Sequence, residues 1–165
     1  MRGSFWLRGA AIAVAIGLAT SPRCRAEELD IVRCSSGTFN IFYESKEAKP
    51  LSSWSENAIN QSNKSDKRLE GAVSHCEGIE WGRAPEATSY FFCKMVDTDG
   101  DAIIYGGSDT GASAQSKILE GTGKWKGITG SFHSEPIVAS KPGKGAMPGT
   151  YQQCRHLKIT FELPR

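Results

Sequence analysis

Three aspartates around one glycine form a closely spaced group of metal-ligand oxygens. Asp97, Asp99 and Asp101 surround Gly100, and runs of carboxylates are typical of Ca²⁺ sites. An EF-hand loop, however, needs its glycine at position 6 and a bidentate acid at position 12. Counted from Asp97, the glycine falls at position 4, and position 12 is Ser108. We therefore interpret the run as a hairpin turn capped by aspartate and assign no metal ligands; weak binding of a cation by the three carboxylates is the alternative.

Two other groups of chemistry-bearing residues fail their spacing rules. The run Gly121–Lys124 ends like a phosphate-binding loop, but the glycine required five residues earlier is missing,. The glycine pattern of dinucleotide-binding loops, G-x-G-x-x-G, is not matched either, because the third glycine, Gly127, comes one residue late,. The three histidines are His75, His133 and His156; His156 follows the polar face of a predicted strand, so we expect surface histidines and not a zinc site. The sequence predicts no cofactor.

Acidic and aromatic side chains in the middle of the chain are the candidates for lining a ligand cavity. They are Glu77, Glu80, Trp81, Tyr90, Phe92 and Tyr105. A two-residue turn at Asp99-Gly100 would place Phe92 and Tyr105 on one face of a hairpin and Phe91 on the other. Both faces of that hairpin are then apolar, which predicts either a subunit contact or a covering loop on the outside. No residue is assigned a catalytic role.

The N-terminal segment has the layout of a secretory signal peptide. Arginines at positions 2 and 8 precede an apolar run from 9 to 19, and Cys24-Arg25-Ala26 offers a cleavage site,. The run is shorter than the roughly 20 residues of a membrane-spanning helix; an uncleaved anchor remains the alternative. We predict a signal peptide at 1–26, a single domain at 27–165, a periplasmic or secreted location, and no membrane span after cleavage.

Cleavage also changes the electrostatic character of the chain. The precursor has 20 Lys and Arg against 18 Asp and Glu, a net charge of +2. Cleavage removes four arginines and no acid, which leaves 16 basic against 18 acidic residues and a net charge of −2. A weakly acidic domain without a basic stripe is not expected to bind nucleic acid.

Strand patterns dominate the mature segment. We predict eight strands, at Leu29–Cys34, Thr38–Tyr43, Leu69–Cys76, Tyr90–Val96, Ala102–Tyr105, Lys117–Glu120, Ile128–His133 and Cys154–Leu163,. The Ser- and Asn-rich stretch from Glu47 to Asn60 is interpreted as a loop with at most one helical turn, and Gln61–Lys67 as a polar loop. Eighteen glycines and no crossover helix indicate an antiparallel sandwich or barrel,. The predicted fold is all-β: an antiparallel, eight-stranded, up-and-down, calycin-like β-barrel with long polar loops.

Four cysteines remain after cleavage, and an oxidising compartment favours two disulfides. Zinc binding is the alternative, but no pair has the close spacing of a zinc knuckle. A closed barrel places the first and last strands side by side, so that Cys34 at the end of one meets Cys154 at the start of the other. We therefore predict the pairs Cys34–Cys154 and Cys76–Cys93.

The run Gly121–Ser131, with the sequence GTGKWKGITGS, resembles a motif of the allene oxide cyclase-like barrels and the glycine-rich segment of plant dirigent proteins. Bacterial relatives of the barrel group often carry an acidic hairpin ahead of it, as Asp97–Asp101 does here. The resemblance covers about Cys76–Phe132 and implies an eight-stranded, often oligomeric barrel with an apolar cavity. Plant members cyclise an unsaturated epoxide or guide radical coupling by shaping a bound apolar substrate; none of their catalytic residues is matched to a position here.

The leading hypothesis is an exported, non-enzymatic barrel that binds a small apolar ligand or a protein partner, with self-association into a homo-oligomer as a further expectation. A cavity-based isomerase or cyclase-like enzyme is the alternative, and it requires an inward-facing acid, amide or tyrosine. A structural envelope protein with a filled barrel is the third. A cavity with convergent polar groups would favour the enzyme, and a solid interior would exclude both cavity hypotheses.

Overall fold

The computed structural model describes residues 26–45, 47–63, 66–82, 86–139 and 149–164. They form a closed antiparallel barrel in which each strand pairs with its sequence neighbours and the last strand pairs with the first. The strands are β1 (Glu27–Tyr43), β2 (Leu51–Ser62), β3 (Val73–Trp81), β4 (Thr88–Val96), β5 (Ala102–Asp109), β6 (Ala114–Gly121), β7 (Thr129–Ala139) and β8 (Thr150–Glu162), with a 3-10 turn at Gly123–Trp125. The predicted eight-stranded barrel is confirmed.

The predicted signal peptide lies, apart from Ala26, outside the described residues. Within the ranges that the structure describes, no helix is long and apolar enough to cross a membrane.

The predicted number of eight strands is correct only because two errors offset each other: one strand was predicted as two, and another strand was predicted as a loop. The segments Leu29–Cys34 and Thr38–Tyr43 belong to one strand, β1. β2 occupies most of the stretch that the sequence predicted as a loop. The reason is that Ser52, Glu56 and Asn60 of β2 face inward and are buried; with polar residues at the inward positions, the apolar alternation that marks a strand is absent.

Gly37 shows why the first strand looked interrupted. It lies in the middle of β1, and a Cβ atom there would come 2.6 Å from the Tyr151 ring. The absence of a Cβ atom at Gly37 therefore leaves room for this aromatic side chain of β8 to contact the backbone of β1,. Gly37, which lies in the gap between the two predicted segments, is a packing site within one continuous strand.

The hairpin between β4 and β5 closes one residue away from the predicted register. Val96 pairs with Ala102, and the loop between them is closed by bonds from the Asp97 amide to the Asp101 carbonyl and from the Gly100 amide to the Asp97 carbonyl. The Asp97 carboxylate accepts the amides of Asp99 and Asp101 at 2.9 and 3.0 Å. The aspartate cap is confirmed, but the two-residue turn is wrong, and a shift of one residue exchanges the two faces of a strand.

One end of the barrel is closed by a densely packed apolar core. Its members include Leu29, Ile31, Met95, Ile103, Ile128, Ile159 and Phe161. Leu69, predicted to lie in a strand, instead belongs to the turn before β3, where it is 1% exposed. Trp125 is equally buried, and its indole nitrogen donates to Asp97 at 2.7 Å. The alternative hypothesis, a barrel whose interior is filled along its whole length, therefore agrees with the structure at this end only.

Both predicted disulfides are present. Cys34–Cys154 joins β1 to β8 on the outer wall, and Cys76–Cys93 joins β3 to β4 inside the barrel. The first closes the cylinder by linking its two terminal strands. Disulfides of this kind are typical of proteins that work in an oxidising environment.

Candidate functional site

The half of the barrel opposite the packed core encloses a cavity of about 730 Å³. All eight strands contribute to its lining, among them Arg33, Trp54, Glu56, Glu80, Phe91, Tyr105, Asp109, Phe132, Tyr151 and Arg155. This volume lies within the range of small-molecule binding sites. The cavity is therefore the candidate functional site.

Two of the six predicted cavity residues line it: Glu80 and Tyr105. The other four, Glu77, Trp81, Tyr90 and Phe92, are exposed on the outer wall. Glu77 and Trp81 differ from Glu80 by an odd number of residues, so strand alternation turns them outward. Phe92 was assigned to the face of Tyr105 by the two-residue turn, and the observed register separates them; Phe92 is 68% exposed and Tyr105 is 3% exposed.

An ion pair between Arg33 and Glu56 lies at the centre of the cavity wall. The guanidinium nitrogen of Arg33 lies 2.5 Å from Glu56 Oε1, and both side chains are almost fully buried. Arg33 also donates from Nε to Ser74 Oγ at 3.1 Å, and from Nη2 to Cys76 Sγ at 3.0 Å. The positive charge is thus fixed in place by partners on two neighbouring strands.

Glu56 collects further donors on its second oxygen. Ser35 donates to Oε2 at 3.0 Å, Tyr151 at 2.9 Å and Gln153 at 3.2 Å. Burial alone would raise the pKa of this carboxyl, but the Arg33 charge and the hydrogen bonds outweigh it and hold the pKa below its usual range. Tyr151, in contrast, has a raised pKa because of burial and the adjacent Glu56 carboxylate. At neutral pH the site therefore contains an ionised Glu56 and a neutral Tyr151.

A second ion pair crosses the open half of the cavity. Arg155 lies 2.9 Å from Asp109 Oδ2 through Nη1. It also donates to the Ser134 hydroxyl at 3.0 Å and to the Ser134 carbonyl at 3.3 Å. Both buried arginines of the site thus have a carboxylate partner of their own.

Glu80 differs from the other two acids of the cavity. The Ser89 hydroxyl donates a hydrogen bond to Glu80 Oε2 at 3.2 Å. Burial raises the pKa of Glu80, and the neighbouring Asp109 charge raises it further, while the Ser89 bond opposes the shift. Unlike Glu56 and Asp109, Glu80 is not paired with either of the two buried arginines.

Aromatic rings form the apolar part of the cavity surface. Tyr105 and Phe132 stack with their centroids 4.2 Å apart, and Trp54 lies tilted against Phe91 at 6.1 Å. The Trp54 ring passes over Gly78, where a Cβ atom would lie 2.5 Å from it. Rings supported in this way offer flat, rigid surfaces on which a ligand can stack.

The site residues that were not predicted from the sequence include Arg33, Glu56, Trp54 and Tyr151. A signal for Arg33 was present, because it continues the alternation of Leu29 and Ile31 and so occupies an inward position. A charged residue at an inward position must be paired or solvated, which makes it a marker of a cavity. Glu56 and Trp54 had no such signal, since their strand was itself predicted as a loop.

Comparison with solved structures identifies the architecture. The pterocarpan synthase dirigent protein PsPTS1 superposes with a TM-score of 0.55 at 11% identity, covering 86% of this chain and 97% of that one. The pterocarpan synthase dirigent protein GePTS1 gives a TM-score of 0.56 at 12% identity, covering 94% and 98%. The chain has the dirigent fold. No family model and no curated protein matches the sequence.

The two motifs that carried the resemblance, Asp97–Asp101 and Gly121–Ser131, lie at the packed end of the barrel and do not line its cavity. Lys124, in the run Gly121–Ser131, lies 3.0 Å from Asp97 Oδ2 and 2.5 Å from Asp99 Oδ2, and its amide donates to Asp101 at 3.0 Å. The acidic hairpin and the run Gly121–Ser131 thus bind each other next to Trp125. At this level of identity the likeness to the solved structures concerns the fold alone.

Proposed function

We propose that this chain is an exported binding protein that holds one small molecule, with an aromatic or apolar body and a polar group, inside the open half of the barrel. The observation that supports this most directly is the cavity of about 730 Å³ with aromatic rings and ionised groups on the same wall. The sequence-based hypothesis of a purely apolar ligand is thereby narrowed to an amphipathic one.

The physical argument rests on the arrangement of the polar groups. Arg33 and Arg155 each have a carboxylate partner, so the cavity holds its charges in place before any ligand enters. Preformed polar groups fix orientation at little entropic cost, and the aromatic surface supplies affinity at about 25 cal/mol per Å² of buried apolar area.

A dye-binding experiment tests this proposal. The neutral dye N-phenyl-1-naphthylamine is titrated against wild-type protein and against Ala114→Phe, which adds bulk at an inward, cavity-lining position. Gln115→Phe places the same ring on the outer face of β6 and is the matched control. We expect saturable binding that Ala114→Phe abolishes and Gln115→Phe retains, with circular dichroism showing both variants folded. Equal binding by both variants would contradict a ligand site inside the barrel.

Export is the second part of the proposal. The signal-peptide pattern at 1–26 and the two disulfides both support it,. N-terminal sequencing of protein recovered from its own host should begin at Glu27. An intact N-terminus at Met1 on protein from the cytoplasmic fraction would count against export.

A cavity-based isomerase is a second candidate, favoured by one specific observation. The hydroxyl of Tyr151 donates to Glu56 at 2.9 Å inside the cavity, so an inward acid and an inward tyrosine, the groups that this hypothesis required, are both present. Native mass spectrometry of protein from its host would identify a retained molecule. Chromatographic conversion of that molecule into an isomer by wild-type protein, and not by Tyr151→Phe, would favour the enzyme; unchanged recovery would favour the binding protein.

A further inference from the structure

We propose that the polar group of the ligand is a protonated amine and that it pairs with Glu80 at the mouth of the cavity. The inference rests on the proposed binding function and specifies its ligand class: a monocation with an aromatic or apolar body.

A count of charges along the cavity wall is the first observation. The Asp, Glu, Lys and Arg side chains among its described lining residues are Arg33, Arg155, Glu56, Glu80 and Asp109. Arg33 is paired with Glu56, and Arg155 with Asp109. Among the residues that the structure describes, Glu80 has no such cationic partner. An ionised Glu80 leaves the wall with one net negative charge, which a monocation would neutralise.

The position of Glu80 relative to the open end is the second observation. Strand register places Glu80 of β3 beside Ser89 of β4, and Ser89 beside Asp109 of β5. This row follows directly after the turns that connect the strands at the open end of the barrel. A charged ligand group that stops at this row keeps contact with water, so its desolvation costs less than it would deeper in the barrel.

The row immediately below provides the surface for the rest of the ligand. There the register brings together Trp54, Gly78 and Phe91, roughly 7 Å deeper at about 3.3 Å per residue. The tilted Trp54–Phe91 pair thus belongs to the row of inward residues next to that of Glu80. An aromatic face next to a carboxylate favours a cation over a neutral or anionic group, because the ring face is itself electron-rich.

The protonation behaviour of Glu80 supports the same assignment. Its pKa is raised, chiefly by burial, so the empty site resists ionisation of this carboxyl. A bound ammonium stabilises the carboxylate and reverses that effect. Binding should therefore strengthen with pH as Glu80 loses its proton, as long as the amine, with a pKa near that of lysine at about 10, keeps its own.

The test uses three probes with one indole ring and different terminal groups: tryptamine, the neutral alcohol tryptophol, and the anion indole-3-propionate. Affinities are measured by isothermal titration calorimetry for wild type, Glu80→Gln and Glu77→Gln. Glu77 lies three residues before Glu80 on β3 but on the outer wall, so its variant removes the same charge outside the cavity. We expect tryptamine to bind wild type and Glu77→Gln at least roughly tenfold more tightly than tryptophol. The preference should disappear in Glu80→Gln, and it should shrink in wild type between about pH 7.5 and about pH 5.

Several results would overturn the inference. They are equal or tighter binding of tryptophol or indole-3-propionate, a preference for tryptamine that survives in Glu80→Gln, or no binding of any of the three probes. If any of these results is obtained while N-phenyl-1-naphthylamine still binds wild type and Ala114→Phe still blocks its binding, the proposed cavity function stands and only the amine assignment fails. If the dye result fails as well, both proposals fall.

Discussion

Arg33 and Arg155 lie directly opposite each other on β1 and β8, and both face inward. Two guanidinium groups in register inside a barrel repel each other unless each charge is neutralised. They turn to different acids: Arg33 pairs with Glu56 of β2, and Arg155 pairs with Asp109 of β5. The two carboxylates thus allow two buried cations to occupy adjacent positions, and the polar half of the barrel depends on both.

Removal of the Glu56 charge is therefore expected to destabilise the fold strongly. Glu56→Gln leaves Arg33 buried without its counterion, and breaking a buried pair costs about 3–5 kcal/mol of unfolding free energy. Urea unfolding at neutral pH measures the loss. Glu70→Gln, which removes the charge of the exposed pair with Lys67, is the control and should change stability far less, because solvent screens an exposed pair. The double variant Arg33→Met/Glu56→Leu should recover much of the loss, and a cost equal to that of Glu56→Gln would contradict this interpretation.

The same pair predicts a specific dependence of stability on pH. The folded pKa of Glu56 lies below the reference value of 4.5 expected for the unfolded chain. Between the two values only the unfolded chain binds the proton, so the contribution of the pair is complete above about pH 5 and is lost as the pH falls through the folded pKa. The stability difference between wild type and Glu56→Gln should shrink as urea unfolding is repeated at progressively lower pH.

Glu80 should show the opposite trend, since its folded pKa is raised. Its favourable contribution is present below the unfolded pKa and is lost as the pH rises through the folded pKa. Glu80→Gln is therefore expected to gain stability relative to wild type as the pH is raised from acid to neutral. A difference that does not change with pH for either variant would show that neither carboxyl is perturbed.

The two disulfides should contribute unequally. Cys34–Cys154 closes a loop of 120 residues and Cys76–Cys93 closes one of 17. In the chain-entropy model these correspond to about 5 and about 3 kcal/mol. Urea unfolding of Cys34→Ser/Cys154→Ser and Cys76→Ser/Cys93→Ser should reproduce that order. The reverse order would indicate that contacts around the inner disulfide, such as the hydrogen bond from Arg33 to Cys76, matter more than loop length.

The register of β4 can be tested with a pair of substitutions on the same strand. Met95 is 1% exposed and Phe92 is 68% exposed. Met95→Ala should cost about 2–5 kcal/mol because it opens a cavity in the packed end, whereas Phe92→Ala should cost less than about 1 kcal/mol. Thermal unfolding of both variants provides the comparison. A larger loss for Phe92→Ala would contradict the observed register.

The barrel itself could be predicted because most of its strands bury apolar residues. In β8 the apolar inward positions include Leu157, Ile159 and Phe161, all 3% exposed or less, so the period of two is plain in the sequence. The disulfide Cys34–Cys154 between the first and last strands followed from the closed topology. Each of these features depends on local pattern or on the general geometry of a closed sheet.

The site could not be predicted in the same way. β2 carries Ser52, Glu56 and Asn60 at its inward positions, and inward polar residues remove the pattern by which strands are recognised. The register of the central hairpin depends on how Asp97 caps the turn, a choice that changes which aromatic rings enter the cavity. The inward polar residues that form the cavity are therefore also the residues that remove the strand pattern from the sequence.

The chain enters and leaves the barrel at the packed end, where Glu27 pairs with Phe161. An attachment at either end of the described chain would therefore lie on the side away from the cavity opening. A fusion partner, a surface-coupling tag or a lipid anchor joined there would leave the entrance facing outward. This orientation suits immobilisation on a sensor chip, with the entrance free to exchange molecules with the surrounding solution.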